Sequence, residues 1–148
     1  MNYRVIILLS LLWMSMYPFQ ECRSQEDIRI KRGDFKIEGK EGFRDAWKSR
    51  RKGDRLFGKG YGFYNKALEH YQKAYRYNSG NAALNYKMGV CHYKQMRHQK
   101  AIEYFNTALS KDEEVATDIF YLLARAYHLS YDRSEEHTSE LQSPLCIS

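Results

Sequence analysis

The residues best suited to chemistry in this sequence are a thiol–imidazole pair, Cys91 and His92, and a run of three carboxylates at 112–114. Two metal ligands on one helix need a spacing of three or four residues to share a face. Cys91 and His92 are adjacent and point to different faces, so the pattern favours a small buried thiol and a packed imidazole over a zinc site. The carboxylates stand where a helix would begin, a place that the helix dipole favours for negative charge. Neither group predicts catalysis or a bound metal.

A glycine-rich segment and an adhesion-like tripeptide carry no stronger signal. The glycines of GKGYG at 58–62 follow no strand and are not closed by Lys-Ser/Thr, as a phosphate-binding loop would be, so they predict a turn. The RGD tripeptide at 32–34 is a three-residue match that chance explains. We therefore predict a non-enzymatic chain without a cofactor.

Positive charge is concentrated in one stretch. Between Arg29 and Lys59 there are 12 Lys or Arg residues against five acidic ones, and the densest run is RRK at 50–52. Basic patches attract nucleic acid, but no aromatic stacking platform accompanies this one. A solvated helix face, or a contact for anionic envelope surfaces, explains the stretch better. No nucleic-acid partner is expected.

Length and composition limit the architecture that could position such residues. The chain has 148 residues, a net charge of +6, 43% apolar and 28% charged residues, and only 9 Gly and 2 Pro. One domain is the expectation at this length, and the apolar fraction excludes a disordered chain. Three cysteines cannot form a disulfide framework. Tyrosine is in excess, with 13 residues, ten of which lie between Tyr61 and Tyr127.

The N-terminus predicts export. Val5 to Met16 is an uncharged apolar run of 12 residues, shorter than the roughly 20 that span a membrane and typical of a secretory signal peptide. Cys22 and Ser24 are small residues at −3 and −1 of a cut before Gln25, so 1–24 is predicted to be a signal peptide. The alternatives are an uncleaved anchor and a lipoprotein lipidated at Cys22. All of them place the mature protein outside the cytoplasm, in the periplasm or at the outer membrane.

The C-terminal segment 133–148 resembles foreign sequence. Residues 133–143 read RSEEHTSELQS, which matches the conceptual translation of a common short-read sequencing adapter at all eleven positions. The residues that remain, to Ser148, fit a variable index and the adapter bases after it. We therefore expect native sequence to stop at Asp132 here and to continue differently in the intact gene, a point that genomic reads across Asp132 decide.

The segment between these two ends contains an internal repeat. ALEHYQKA at 67–74 recurs as AIEYFNTA at 101–108, an offset of 34 residues. In both copies apolar residues lie at i, i+1, i+4 and i+7, which is one face of a helix. An amphipathic segment precedes each copy, and another begins at Ile119. With Gly80 and Asn81 as stop and start signals, the pattern predicts helices at 43–58, 64–78, 81–96, 98–110 and 115–131.

This pattern resembles the tetratricopeptide repeat, a helical hairpin of 34 residues. The resemblance implies an all-α, antiparallel helix-pair solenoid, a right-handed superhelix of about 2.5 repeats. The repeats would occupy 43–80, 81–114 and, in part, 115–131. Residues 25–42 form a charged lead-in without clear periodicity.

Small residues in such a repeat let two antiparallel helices approach, and an aromatic residue fills the remaining space. In the first repeat the glycine at 53 precedes the helix-B alanine by 14 residues instead of the 12 found in the second, and the excess falls in the 58–62 turn. The residues that carry the repeat signature are Gly53, Ala67, Tyr71, Ala74, Met88, Gly89, Ala101, Phe105, Ala108, Leu123, Ala124 and Tyr127.

The first helix of each pair lines a concave binding surface in solenoids of this kind. The resemblance carries eight positions into that groove, an aromatic and cationic set: Tyr86, Lys87, Val90, Tyr93, Lys94, Tyr121, Arg125 and His128. By charge complementarity, the implied partner is a protein or peptide with acidic segments. The set lacks the Lys and Asn residues with which cytosolic chaperone partners clamp a terminal carboxylate.

A looser resemblance concerns the order of segments. DAWKSRRKGD at 45–54, FYNKALEHYQKAYRYNSGNAALNYKMGVC at 63–91 and YLLARAYHLSYD at 121–132 are similar to the N-terminal part of large Bacteroidetes envelope proteins. In those proteins, tetratricopeptide repeats precede a β-propeller and an OmpA-like peptidoglycan-binding domain, and some belong to the type IX secretion machinery.

The function that this resemblance implies is an exported scaffold or adaptor for protein–protein interaction, here a fragment of a larger envelope protein. The intact protein would be associated with the outer membrane or peptidoglycan. Two alternatives stay open. One is the interaction domain of a secreted enzyme whose catalytic part lies downstream, and the other is a periplasmic peptide-binding chaperone.

Overall fold

The computed structural model describes residues 28–141, with side chains to residue 131, so the predicted signal peptide at 1–24 lies outside the described residues. Every regular element within 28–141 is a helix. The helices are α1 (Arg32–Phe35), α2 (Phe43–Phe57), α3 (Tyr64–Tyr77), α4 (Ala82–Lys94), α5 (His98–Leu109) and α6 (Ile119–Leu141). The predicted all-α class is confirmed, and α2 to α5 begin and end within two residues of their predicted bounds. None of these helices is both long and apolar enough to cross a membrane.

The helices pack as antiparallel pairs, α2 with α3 and α4 with α5. Phe43 at the start of α2 contacts Tyr77 at the end of α3, with ring centroids 5.9 Å apart. Phe57 and Tyr64 meet at the other end of the pair, 5.7 Å apart. The pairs stack through α3 on α4 and α5 on α6. This is the predicted helix-pair solenoid, in which α6 takes the place of the first helix of a third pair.

A glycine facing an aromatic ring sets the distance between the helices of both pairs. A Cβ added at Gly53 would lie 2.6 Å from two ring carbons of Tyr71, and one added at Gly89 would lie 2.6 Å from two ring carbons of Phe105. The two aromatic residues are 34 positions apart, whereas the two glycines are 36 apart. The extra length therefore falls in the turn between α2 and α3, as predicted.

The other signature residues divide by the presence of a packing partner. Five are fully buried between the helices: Ala67, Ala74, Met88, Ala101 and Ala108. In α6, Leu123 is half-buried, but Ala124 and Tyr127 are exposed. Within the described residues no further helix covers that side of α6, so the predicted packing positions of the third repeat lack a partner there.

The lead-in is more structured than its charge suggested. Phe35 is fully buried and Ile30 almost so, both within the core of the first pair. The amide of Asn78 donates to the Phe35 carbonyl at 3.0 Å, and the Tyr77 hydroxyl exchanges hydrogen bonds with the backbone of Ile37. Residues 28–31 are extended, so Ile28 and Ile30 share a side at a period of two. The sequence prediction, which sought helical periodicity at 25–42, missed this.

The bounds of α6 differ from the predicted 115–131. The helix begins four residues late because Val115 and Ala116 are buried in an irregular turn, opened by a hydrogen bond from the Glu114 amide to the Asp112 side chain at 3.0 Å. It continues past Asp132 to the end of the described chain, since no Gly or Pro interrupts 119–141. The resemblance of 133–148 to an adapter stays a prediction.

Candidate protein-interaction surface

The first helices of the pairs, α2, α4 and α6, lie on one side of the solenoid, which we call the first-helix face. Lys87 of α4 reaches α2, where its Nζ lies 3.0 Å from Oδ1 of Asp54. Tyr86 of α4 reaches toward α6, and its hydroxyl donates to Oδ1 of Asp118 at 2.7 Å. The predicted binding groove would lie on this face.

Three of the eight predicted groove residues are buried in the first-helix face. Tyr86 is 2% exposed, Lys87 is 3% exposed and Val90 is fully buried. The expectation that these three line an open groove is therefore wrong. Tyr86 and Val90 belong to the core cluster of the second pair, against which Ile28 of the lead-in packs, and Lys87 is held by Asp54.

The predicted residues on α6 are open to solvent. Tyr121 is 60% exposed, and Arg125 and His128 are exposed as well. Their spacing of four and three residues places them on one side of the helix. We call these three residues the α6 row.

Arg125 orders this row. Its Nη1 donates to the Tyr121 hydroxyl at 3.1 Å, and its guanidinium lies 5.8 Å from the centre of the Tyr121 ring. The hydrogen bond to Tyr121 raises the pKa of Arg125, with Tyr93 of α4 adding to the effect. Tyr93 is half-buried beside the row, and Lys94 is exposed at the end of α4.

An ionic cluster under the first-helix face escaped the sequence prediction. Asp54 accepts from Arg50 Nη1 at 2.5 Å, from the Tyr71 hydroxyl at 2.9 Å and from Lys87. We call these four residues the Asp54 hub; it joins α2, α3 and α4. Burial, and next the charge of Asp54, raise the pKa of Tyr71. The i, i+4 spacing of Arg50 and Asp54 was the available signal, because such a pair shares one helix face.

The thiol and imidazole singled out by type are packing residues. Cys91 is fully buried, and burial raises the pKa of its thiol to about 12. His92 is almost fully buried and stacks on Tyr104 with ring centroids 5.3 Å apart. Burial lowers the pKa of His92 to about 4, and the nearby cations Arg97 and Lys100 lower it further. This confirms the buried thiol and packed imidazole, and the described residues bring together no group of acidic, His and Cys side chains that could hold a metal.

Comparison with known proteins agrees with this architecture. The family model described as tetratricopeptide repeat matches residues 61–126, from the turn before α3 into α6. The comparisons with curated proteins and with solved structures gave no match. The matched segment is thus similar to a family of helical repeats that mediate protein–protein interaction and are typically non-catalytic scaffolds.

Proposed function

We propose that the chain is a non-enzymatic scaffold or adaptor that binds a partner protein along the α6 row. The observation that carries this proposal is the contrast within the first-helix face. The equivalent side of α4 is closed by the lead-in and the Asp54 hub, whereas Tyr121, Arg125 and His128 stand open on α6. The opposite side of that helix is anchored, with Ile119 and Ala126 fully buried, so the row is held on a rigid element.

The chemistry of the row favours an acidic partner segment. Tyrosine provides a large contact area at a low cost in side-chain entropy, and Arg125 can bind a carboxylate through two parallel hydrogen bonds. The nearest carboxylate on the same face that we can identify, Asp118, is engaged with Tyr86. A segment that combines Asp or Glu with apolar side chains would complement both the charge and the aromatic surface.

The partner proposal is tested by charge reversal on the α6 row. Arg125→Glu should abolish capture of an interacting protein and leave thermal unfolding unchanged, because the Arg125 side chain is fully exposed. Lys73→Glu, an exposed reversal on α3, is the matched control and should retain capture. Equal capture by both variants would refute the assignment of the row.

We further propose that the protein is exported to the periplasm or outer membrane. The support is the apolar run from Val5 to Met16 and the small residues before Gln25. Mass spectrometry of the protein recovered from the cell envelope should give a chain beginning at Gln25, or a lipid-modified chain beginning at Cys22. A cytoplasmic chain that retains Met1 would contradict export.

We also propose that the intact protein is larger and belongs to the cell envelope. The support is the similarity of 45–54, 63–91 and 121–132 to repeat-containing envelope proteins, together with the adapter-like segment. Sequencing the gene beyond Asp132 tests this. An OmpA-like domain would support a scaffold at the peptidoglycan, a hydrolase domain would favour the helper of a secreted enzyme, and an early stop would favour a periplasmic chaperone.

A further inference from the structure

A cavity of about 760 Å³ lies between the lead-in and α2, with one wall contributed by α4. Residues 29–32 form one side, and the α2 side includes Trp47, Arg51 and Arg55. Seven of the eleven lining residues are Lys or Arg, and one is acidic. This volume is in the range of small-molecule sites.

The positive charge of this cavity is poorly compensated from within. Asp54 is its sole lining carboxylate, and that carboxylate already accepts from Arg50 and Lys87. Clefts lined by one sign of charge concentrate the field and attract counter-ions. The wall charges left without a lining carboxylate therefore favour an anion in the cavity.

Arg50 gives a second and independent indication. Its side chain is 7% exposed and lies flat against Trp47, with the guanidinium 3.8 Å from the ring centre. Nη1 donates to Asp54, but Nε is buried and has no hydrogen-bond partner among the described residues. Leaving a buried charged donor unsatisfied costs at least about 1–3 kcal/mol. An acceptor supplied by a ligand would remove this penalty.

The residue types point to the class of ligand. Five of the seven cations are arginines, and the guanidinium fork matches the planar pairs of oxygens in phosphate and carboxylate. Several such forks around one small volume suit a compact ligand with more than one anionic group. An extended acidic peptide is less well accommodated, because the lead-in already runs along this part of the first-helix face.

We propose that the cavity binds a compact anion that carries at least two phosphate or carboxylate groups. This site is separate from the α6 row and does not depend on the partner proposed there. It also gives a role to the basic stretch between Arg29 and Lys59, which repeat packing alone does not require.

Isothermal titration calorimetry of the purified chain with pyrophosphate and with citrate tests the proposal. We expect a Kd of about 1 mM or tighter for at least one of them. Tighter binding of pyrophosphate would identify phosphate-bearing ligands, and equal binding would identify oxyanions in general; either result supports the site. Failure of both anions to bind would overturn it.

Matched variants on α2 separate the cavity from general surface charge. The double variant Arg51→Gln with Arg55→Gln removes two exposed charges that line the cavity, and should weaken binding at least tenfold. The double variant Arg44→Gln with Lys48→Gln removes two exposed charges from the same helix outside the cavity, and should bind as the unmodified chain does. Equal weakening in both variants would overturn the site.

A ten-residue glutamate peptide is the third probe. Binding of this peptide more tightly than either small anion, with loss in the Arg51/Arg55 variant, would also overturn the proposal, since it would show that the face takes an extended acidic segment. Thermal unfolding provides the second readout. The preferred anion should raise the Tm of the unmodified chain and of the control variant, and the Tm of the cavity variant should rise less.

Discussion

Gly89→Ala is the substitution that most sharply tests the packing of the second pair. The new Cβ would lie 2.6 Å from Cδ1 and Cε1 of Phe105 and 3.3 Å from Cγ, whereas non-bonded carbons are at their optimum at about 3.5–4.0 Å. Phe105 is fully buried and packs against Tyr86 with ring centroids 6.1 Å apart. The ring therefore has little room to move, and the helices must separate.

The magnitude follows from two opposing effects. Overpacking a core of this kind costs about 1–3 kcal/mol, and replacing a mid-helix glycine by alanine returns about 0.5–1 kcal/mol. We expect a net loss of about 1–2 kcal/mol in the free energy of unfolding. For a domain of this size, each 1 kcal/mol lowers the Tm by about 4–8 °C.

Urea denaturation followed by circular dichroism measures this loss. Gly33→Ala is the matched control, because a Cβ there meets nothing within 4 Å and the backbone is not left-handed. Phe105→Leu added to Gly89→Ala should cost less than the sum of the two single changes, since the smaller side chain relieves the overlap. Unchanged stability in Gly89→Ala, or strict additivity in the double variant, would refute the close approach.

Three further predictions concern buried polar groups. Lys87→Met should lower the free energy of unfolding by about 1–3 kcal/mol because it removes one cation from Asp54, while Lys94→Met, which changes an exposed residue, should not; equal stability of the two in urea would contradict the hub. The pKa of His92 is lowered from 6.5 to about 4, so the unfolded chain binds the proton first as the pH falls. About 1–2 kcal/mol of stability present above pH 6.5 should therefore be lost between pH 6.5 and 4, and His92→Gln should flatten that part of the pH profile in urea titrations. With the other two cysteines replaced by serine, Cys91 should react with an aromatic disulfide reagent at pH 8 only after unfolding, because burial raises the pKa of its thiol to about 12; rapid labelling of the folded chain would show that it is accessible.

Local signals in the sequence were sufficient to predict most of the fold. The start of α4 follows from Asn81, whose side chain accepts from the Leu84 amide at 2.9 Å, as an N-cap residue should. The glycine and aromatic positions predicted the close approach in both pairs, because each depends on residue size within one hairpin. The lead-in was missed because an extended segment of alternating Ile and charge is too short to show a helical period.

The candidate surface could be predicted only in part, because exposure depends on contacts between distant segments. Tyr121 and Arg125 were placed correctly on one open side, since their spacing alone determines that they share a face. Tyr86, Lys87 and Val90 have the same spacing pattern on α4. Their burial depends on Ile28, more than 50 residues away in sequence, and on the Asp54 hub, and neither contact follows from the local pattern.

Site-specific photo-crosslinking tests the central claim, that the α6 row binds a partner protein, most directly. A benzophenone amino acid is placed at Tyr121 or, as the control, at Gln72, which is exposed on α3. In living cells of the source organism, the probe at Tyr121 should form one defined crosslinked complex, and adding Arg125→Glu should remove it, while the probe at Gln72 should not form it. The same complex from both positions, or a complex that persists with Arg125→Glu, would contradict the claim.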